Sequence, residues 1–120
     1  MNLSSSNTGH EGEELAAQFL IDNGLKIIKR NFRFGKVGEL DIVAKDGETL
    51  VFVEVKYRKS LEYGEPETGL TANKKRQLKK IAEAYMYINE INDTECRFDV
   101  VAILELQKGN PEIRYYKNAF

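Results

Sequence analysis

The chain has 120 residues, of which 42% are hydrophobic and 31% are charged, and its formal net charge is -1. This length supports one hydrophobic core and excludes a second domain, and no apolar run approaches the roughly 20 residues that span a membrane. The single cysteine excludes an internal disulfide and a multi-cysteine zinc site, and the polar N-terminus lacks the features of a signal peptide, so a cytoplasmic location is expected.

The N-terminal part of the chain predicts a tail, a helix and a strand. Residues 1–8 are predicted to form a disordered tail, and a single domain is expected over 9–120. A helix is predicted from Gly9 to Asn23, because apolar residues recur at helical spacing until Gly24 ends the pattern. A strand is predicted over residues 25–34.

A β-hairpin is predicted next, with an Asp46-Gly47 turn between strands over residues 40–44 and 50–55. The opposed pairs are then Lys45 with Glu48, Asp41 with Phe52, and Glu39 with Glu54. Because side chains alternate between the faces of a strand, this register predicts a polar face and an apolar face. The polar face carries Asp41, Glu54, Lys56 and Arg58, and the apolar face carries Leu40, Ile42, Val51, Val53 and Val55. A four-residue loop keeps these faces, whereas a three-residue loop does not.

The C-terminal half predicts a second helix and two further strands. Residues 60–71 contain glycine and proline and indicate a loop. The second helix is expected from Asn73 to Ile88, with Leu78, Ile81, Ala82, Tyr85 and Ile88 facing inward. Strands over 97–106 and 113–116 close the chain. A strand, a helix and a strand in succession favour a parallel crossover, so the predicted fold is α/β, a mixed sheet flanked by helices in the order α-β-β-β-α-β-β.

Two carboxylates and a lysine lie in sequence that otherwise predicts buried strand. Ionised groups stay in an apolar sheet only when they are paired or bind a metal, so Asp41, Glu54 and Lys56 form the candidate site. Glu13 lies at the edge of the apolar face of the first helix. It either joins these carboxylates or is only a first-turn glutamate that the helix dipole stabilises. The alternative for the strand residues is a structural ion pair, Glu54 with Lys56 or Asp41 with Arg58.

This set of residues suits the cleavage of a phosphodiester bond. That reaction requires an activated water and a cation at the developing negative charge, and Mg²⁺ or Mn²⁺ held by hard oxygen ligands supplies both. Asp41 and Glu54 are the candidate metal ligands, and the Val55 carbonyl and the Glu13 carboxylate would complete the shell. Lys56 would orient the water or stabilise the anionic transition state.

Basic residues are concentrated after this segment. Between Lys56 and Lys80 there are eight basic residues and three acidic ones. Such a stripe suits a phosphate backbone, although charge runs also occur as solvated helix faces. The candidate contacts to nucleic acid are Arg33, Arg58, Lys74, Lys75 and Lys79.

Several other polar residues have two interpretations each. Glu39 shares the Asp41 face and is a candidate ligand for a second metal. Asp99 either ligates a metal or pairs with Arg97 or with a loop amide. Four tyrosines either stack on bases or belong to the core, namely Tyr85, Tyr87, Tyr115 and Tyr116. Helical spacing assigns Tyr85 to the core.

The order and spacing of the motifs resemble those of a known family. The motifs are Gly12-Glu13, Asn31-Phe32-Arg33, Gly38-Glu39-Leu40-Asp41, Phe52-Val53-Glu54-Val55-Lys56, Arg58, Gly64, Lys74 and Arg97-Phe98-Asp99. They cover residues 9–101 and are similar to the YraN-like family of uncharacterised bacterial proteins, within the PD-(D/E)XK nuclease superfamily that includes archaeal Holliday-junction resolvases. Leu40 replaces the proline of the superfamily motif, a change that affects strand geometry more than ligation.

The resemblance implies a restriction-endonuclease-like core and a Mg²⁺-dependent endonuclease or junction resolvase, with branched or damaged DNA as the expected substrate and no membrane partner. A resolvase would act as a homodimer, because it cuts two strands. One alternative is a non-catalytic nucleic-acid-binding module that keeps the fold. Another is a protein-interaction adaptor with a vestigial acidic site. The intact carboxylates and Lys56 favour catalysis, whereas the near-neutral net charge favours the adaptor.

Overall fold

The computed structural model describes the backbone of residues 4–120 and the side chains of residues 10–120. The elements are α1 (Ser4–Asp22), β1 (Lys26–Phe34), β2 (Gly38–Asp46), β3 (Thr49–Arg58), a 3₁₀ helix (Pro66–Gly69), α2 (Ala72–Ile88), β4 (Cys96–Leu104) and β5 (Glu112–Tyr116). The helix α1 begins at Ser4 and not at Gly9, so it extends into the segment predicted to be a tail. Residues 1–3 of that tail lie outside the described residues.

The five strands form one sheet in the order β1-β2-β3-β4-β5. β3 and β4 are parallel, with α2 between them in the chain, and the other neighbouring strands are antiparallel. Residues of α1 pack on one face of the sheet and residues of α2 pack on the other. The predicted mixed, helix-flanked α/β fold is therefore confirmed. No helix in the described part of the chain is long and apolar enough to cross a membrane.

The helix α1 ends in a Schellman motif at Gly24, as its sequence predicts. Gly24 has φ +89°, and its N–H donates to the Ile21 carbonyl at 3.0 Å, while the Leu25 N–H donates to the Leu20 carbonyl at 3.0 Å. A side chain at this φ would be strained, which is why glycine stands here. The motif returns Leu25 to the core and starts β1.

The helix α1 also approaches β3 closely, at Gly12. A Cβ atom at this position would lie 2.7 Å from the Cβ of Tyr57, which is too short for two carbon atoms that are not bonded. Only glycine therefore lets the first turns of α1 rest on β3. The contact fixes the next residue, Glu13, relative to the sheet.

The hairpin between β2 and β3 differs from the predicted one by two residues of register. Its turn is Gly47-Glu48, and Asp46 pairs with Thr49. Gly47 has φ +61°, which suits the first central residue of a type II′ turn and leaves Asp46 in the strand. The predicted opposed pairs are therefore wrong: Lys45 pairs with Leu50, Phe52 pairs with Val43 and not with Asp41, and Glu39 pairs with Arg33 of β1.

A shift of two residues preserves the faces of a strand, and β3 alternates as predicted. Val51 and Val53 are buried with residues of α1, whereas Phe52 packs with residues of α2. The α2 side of β3 therefore carries Phe52, Glu54, Lys56 and Arg58.

The helix α2 buries four of its five predicted inward residues, Leu78, Ile81, Ala82 and Tyr85. The fifth prediction is wrong, because Ile88 is 56% exposed. Ile88 is the last residue of the helix, and the Asn89 N–H already caps it by donating to the Tyr85 carbonyl at 3.1 Å. Periodicity predicts which face a residue shares, but it does not show where the helix leaves the sheet.

Candidate active site

The candidate site lies where β2 separates from β3. Backbone pairing between the two strands ends at Ile42 and Val53. Beyond that point the Asp41 carboxylate accepts a hydrogen bond from the Val55 N–H at 2.8 Å. A side chain thus replaces the backbone carbonyl that a regular ladder would supply. The exchange holds Asp41 in the gap between the two strands.

The side-chain alternation of β2 breaks at the same point. Leu40 packs with α2 residues, whereas Ile42 packs with α1 residues, although residues two apart in a regular strand share a face. The predicted placement of Leu40 beside Ile42 is wrong for this reason. On β1, Asn31 has φ +56°, an uncommon value for a residue other than glycine. The two irregularities are neighbours, because the β1 residues on either side of Asn31 pair with Leu40 and Ile42.

Asp41 and Glu54 lie within hydrogen-bonding range of each other, and Glu54 is only 7% exposed. Burial raises the pKa of Asp41 to about 8, and the negative charges of Glu54 and, more weakly, Glu39 add to the rise, whereas the hydrogen bond from the Val55 N–H opposes it. Two carboxylates this close do not both stay ionised without a cation. The metal-free protein therefore holds a proton on this pair near neutral pH.

Lys56 contacts the pair from the same face of β3. Its Nζ lies 3.7 Å from Glu54 Oε2, a separation that is long for a hydrogen bond and compensates the carboxylate only in part. The predicted alternative, an ion pair between Glu54 and Lys56, is therefore present at this long separation. Among the described residues, Asp41 and Arg58 form no ion pair. Lys56 is therefore placed to act at the Glu54 carboxylate.

Arg58 lies two residues beyond Lys56, and both side chains reach the 3₁₀ helix. A Cβ atom at Gly69 would lie 3.6 Å from Lys56 Nζ and 3.8 Å from a terminal nitrogen of Arg58. The Arg58 Nε is buried and has no hydrogen-bond partner among the described residues. Two positive charges thus lie together at the 3₁₀ helix, and one of them, that of Lys56, also lies next to Glu54.

The structure does not bring Glu13 to the carboxylate pair. Glu13 Oε1 accepts hydrogen bonds from Asn31 Nδ2 at 2.9 Å and from Arg30 Nη2 at 3.2 Å. Over residues 10–120, no three Asp, Glu, His or Cys side chains lie close enough together to hold a metal ion. Glu13 instead contacts Arg30 and Asn31 of β1, across from the irregular stretch of β2.

Asp99 belongs to the fold and not to this site. It is fully buried and accepts hydrogen bonds from Arg97 Nε at 3.0 Å, from the Tyr115 hydroxyl at 2.5 Å and from the Asn118 N–H at 2.8 Å. Arg97 also reaches Asp46 at 2.9 Å. The interpretation of Asp99 as a partner of Arg97 and of a loop amide is confirmed.

The residues predicted to contact nucleic acid are spread over three elements, β1, β3 and α2. Arg33 is 69% exposed on β1 and lies 3.8 Å from Glu39. On α2, Lys75 and Lys79 each place Nζ 5.9 Å from the ring centroid of Phe120, so they face the same side as the end of the chain. Lys74, in the first turn of α2, and Arg58 are half-buried.

The sequence did not predict a groove at β4 and β5, next to the 3₁₀ helix and the first turn of α2. It has a volume of about 560 Å³ and is lined by Glu67, Leu70, Lys75, Val100, Tyr116, Lys117 and Ala119. Its floor residue Val100 pairs with Glu54 on one side and with Tyr116 on the other. The alternation of side chains in β4 and β5 could have indicated which residues share a face of the sheet. A single sequence does not show the register between strands that are distant in the chain, so the groove could not be predicted.

Comparison with known proteins matches the sequence of this chain to one family. The model of "Uncharacterised protein family UPF0102" matches residues 12–103. The UPF0102 protein of Geotalea daltonii is 46% identical over 93% of this chain and 87% of its own length. The UPF0102 protein of Pelobacter propionicus is 48% identical over 95% of this chain and 82% of its own length. The UPF0102 protein of Natranaerobius thermophilus is 40% identical over 98% of this chain and 100% of its own length. The matched residues include Glu13, Asp41, Glu54 and Lys56.

Proposed function

This chain belongs to the uncharacterised protein family UPF0102, the YraN-like family that its motifs resemble, and we propose that it is a Mg²⁺- or Mn²⁺-dependent endonuclease acting on DNA. The observation that carries the proposal is the pair of carboxylates Asp41, which is half-buried, and Glu54, which is buried, with the pKa of Asp41 raised to about 8 by burial and by the charge of Glu54. Burying two like charges costs free energy. A divalent cation removes this cost, and oxygen ligands are what Mg²⁺ and Mn²⁺ prefer.

The residues present fit such a cation. Asp41 and Glu54 would supply carboxylate oxygens. In an extended strand the N–H and the C=O of one residue point to the same side, so the Val55 carbonyl faces the gap into which its N–H points. A bound cation would lower the pKa of water and offset negative charge on a phosphate. Glu13, held by Arg30 and Asn31, is proposed to position β1 beside the site and not to be a ligand in this arrangement.

Lys56 and Arg58 supply the positive charge that the reaction requires from the protein. Lys56 Nζ, 3.7 Å from Glu54 Oε2, is proposed to orient the attacking water and to stabilise charge in the transition state. Arg58 reaches the same side at Gly69 and is proposed to hold a neighbouring phosphate, since guanidinium groups bind phosphates well. The carboxylates and the cations thus have separate roles in one reaction.

A second candidate function is a non-catalytic nucleic-acid-binding module with the same fold. The observation that favours it is the engagement of Glu13 by Arg30 and Asn31, which leaves two carboxylates at the site and no group of three among residues 10–120. Such a module would bind DNA through its lysines without metal. Cleavage of DNA distinguishes the two candidates, because only the endonuclease cleaves it.

We expect DNA cleavage in the presence of Mn²⁺, and the substrate is found by offering branched, duplex and single-stranded DNA in parallel. Lys56→Ala should lower the rate on the preferred substrate by about 100-fold or more, because removal of one group that stabilises transition-state charge costs this much. Lys26→Ala, a change of an exposed lysine at the start of β1, is the matched control and should cleave at the wild-type rate. No cleavage of any DNA at any metal concentration would favour the binding module, whereas equal cleavage by Lys56→Ala and wild type would show that Lys56 does not have the proposed role.

A further inference from the structure

The strands β1 and β2 share one irregular rung, formed by Asn31 and Asp41. The residues before and after Asn31 pair with Ile42 and Leu40, so the register is the same on both sides of the rung and places Asn31 opposite Asp41. Within the described ladder of these two strands, however, Asn31 and Asp41 do not pair. The ladder is therefore open at the residue that carries one carboxylate of the candidate site.

Both strands change face at this rung. On β1, Arg30 contacts Glu13 of α1, whereas Phe32 packs with residues of α2, although residues two apart in a regular strand share a face. On β2, Ile42 and Leu40 divide between the α1 side and the α2 side in the same way. Because the two breaks occur at one rung, paired residues stay on the same face and the sheet continues on both sides of it.

The unusual backbone conformation of this rung belongs to Asn31. Its φ is +56°, in the left-handed region, whereas the φ of Asp41 is not positive. A residue with a left-handed φ does not have the extended backbone that a regular ladder requires. Asparagine is one of the few residues other than glycine that adopt this conformation readily. The residue that departs from strand geometry is thus on β1, opposite Asp41.

The side chain of Asn31 is held on α1. Its Nδ2 donates to Glu13 Oε1 at 2.9 Å, and Arg30 Nη2 donates to the same oxygen at 3.2 Å. Glu13 follows Gly12, which rests on Tyr57 of β3. Asparagine suits both its backbone and its partner, because it tolerates a positive φ and its amide group donates, whereas an aspartate would bring a second negative charge to Glu13.

We infer that Asn31 is a positioning residue for Asp41: its left-handed backbone opens the ladder between β1 and β2 and leaves Asp41 free to turn toward β3. The Asp41 carboxylate then accepts the hydrogen bond from the Val55 N–H at 2.8 Å, and this contact holds it beside Glu54. An extended residue at position 31 would pair with Asp41 and return it to the ladder with β1. The importance of this positioning for cation binding rests on the proposed function, whereas the hydrogen bond to Val55 is a property of the metal-free protein.

The first test is Mn²⁺ binding by Asn31→Ala and Asn31→Gly, measured by isothermal titration calorimetry. Alanine disfavours a positive φ, so Asn31→Ala should bind Mn²⁺ about 10- to 100-fold more weakly, the usual effect of losing a residue that orients a metal ligand. Glycine adopts a positive φ at no steric cost, so Asn31→Gly should bind Mn²⁺ as the wild type does. The matched control is Asn118→Ala, a change of an exposed asparagine that follows β5 and has φ +54°, and it should leave the affinity unchanged.

The second test measures the Val55 amide without metal. Amide hydrogen exchange, followed by NMR in EDTA, compares Val55 with the amides of the regular ladder between β3 and β4. Asn31→Ala should lower the protection of Val55 about 5-fold or more beyond any change in those amides, because Val55 alone loses a hydrogen bond. Asn31→Gly should keep the wild-type ratio. A loss of stability without a loss of positioning, as expected for Asn118→Ala, lowers the protection of all these amides together.

Unchanged relative protection of Val55 in Asn31→Ala would overturn the inference. Equal losses in Asn31→Gly and Asn31→Ala would also overturn it, because the effect would then come from the side chain and not from the backbone.

Failure of this inference differs from failure of the proposed function. If the wild type binds no Mn²⁺ but Asn31→Ala selectively exposes the Val55 amide, the cation site is rejected and the positioning role of Asn31 is retained. If Asn31→Ala binds Mn²⁺ as the wild type does and Val55 stays protected, the positioning role is rejected and the cation site is retained.

Discussion

In the metal-free protein, Asp41→Asn is expected to raise the free energy of unfolding at pH 8.5 by on the order of 3 kcal/mol and to change it little near pH 4. The reason is the raised pKa of Asp41, about 8, caused by burial and by the charge of Glu54. Between pH 4 and 8 the folded protein binds a proton on Asp41 that the unfolded chain does not bind. Wild-type stability therefore falls as the pH rises through this range, whereas asparagine does not titrate.

The asparagine also keeps the contacts of the site. Its carbonyl oxygen can accept the Val55 N–H that Asp41 accepts at 2.8 Å, and its amide group can donate to Glu54. Urea unfolding of wild type and variant across pH 4 to 9 measures the difference. Asp22→Asn, a change of an exposed aspartate on α1, is the control and should follow the wild type. A variant that is less stable than wild type at every pH would show that Asp41 serves a structural ion pair.

Mn²⁺ is expected to raise the melting temperature of the wild type and to leave that of Asp41→Asn/Glu54→Gln unchanged. A ligand that binds only the folded state at 100 times its dissociation constant adds about 2.7 kcal/mol, which is roughly 10 °C for a domain of this size. The double variant lacks both carboxylates and should therefore show no shift. Differential scanning calorimetry with and without Mn²⁺ measures both.

The matched control for this comparison is Asp22→Asn/Glu83→Gln, which removes the same number of charges from exposed positions on α1 and α2. It should respond to Mn²⁺ as the wild type does. If Mn²⁺ does not change the melting temperature of the wild type, the protein does not bind the cation. If Mn²⁺ raises the melting temperature of Asp41→Asn/Glu54→Gln equally, the cation binds elsewhere on the chain.

The parts of the site that lie on β3 were predictable because β3 is regular. Strict alternation from Val51 to Arg58 put Glu54 and Lys56 on one face, and a register error of two residues did not change that. The same rule failed on β2, where Leu40 and Ile42 pack on opposite faces. The Asp41 carboxylate takes the place of a backbone carbonyl between β2 and β3, and the alternation of side chains along β2 breaks there. Secondary-structure propensities do not predict such a break.

The contacts of Glu13 and Tyr116 could not be predicted for a different reason. Each depends on contacts between elements that are far apart in the chain, Glu13 with Arg30 and Asn31, and Tyr116 with Glu67. Helical spacing placed Glu13 at the edge of a buried face, but it could not show which strand that edge meets. Local periodicity fixes faces, whereas the partners follow from tertiary packing.

If Asp41 and Glu54 form a cation site, Mn²⁺ must displace the proton that this pair holds in the metal-free protein, and the number of protons released on binding can be measured. Isothermal titration calorimetry at pH 7 in two buffers of different ionisation enthalpy counts the protons. Because the pKa of Asp41 is about 8 without metal, we expect the wild type to release close to one proton per Mn²⁺ at pH 7 and far less than one at pH 9. We expect Asp41→Asn/Glu54→Gln to bind no Mn²⁺. Mn²⁺ binding without proton release, or equal binding by the double variant, would exclude a cation site at Asp41 and Glu54.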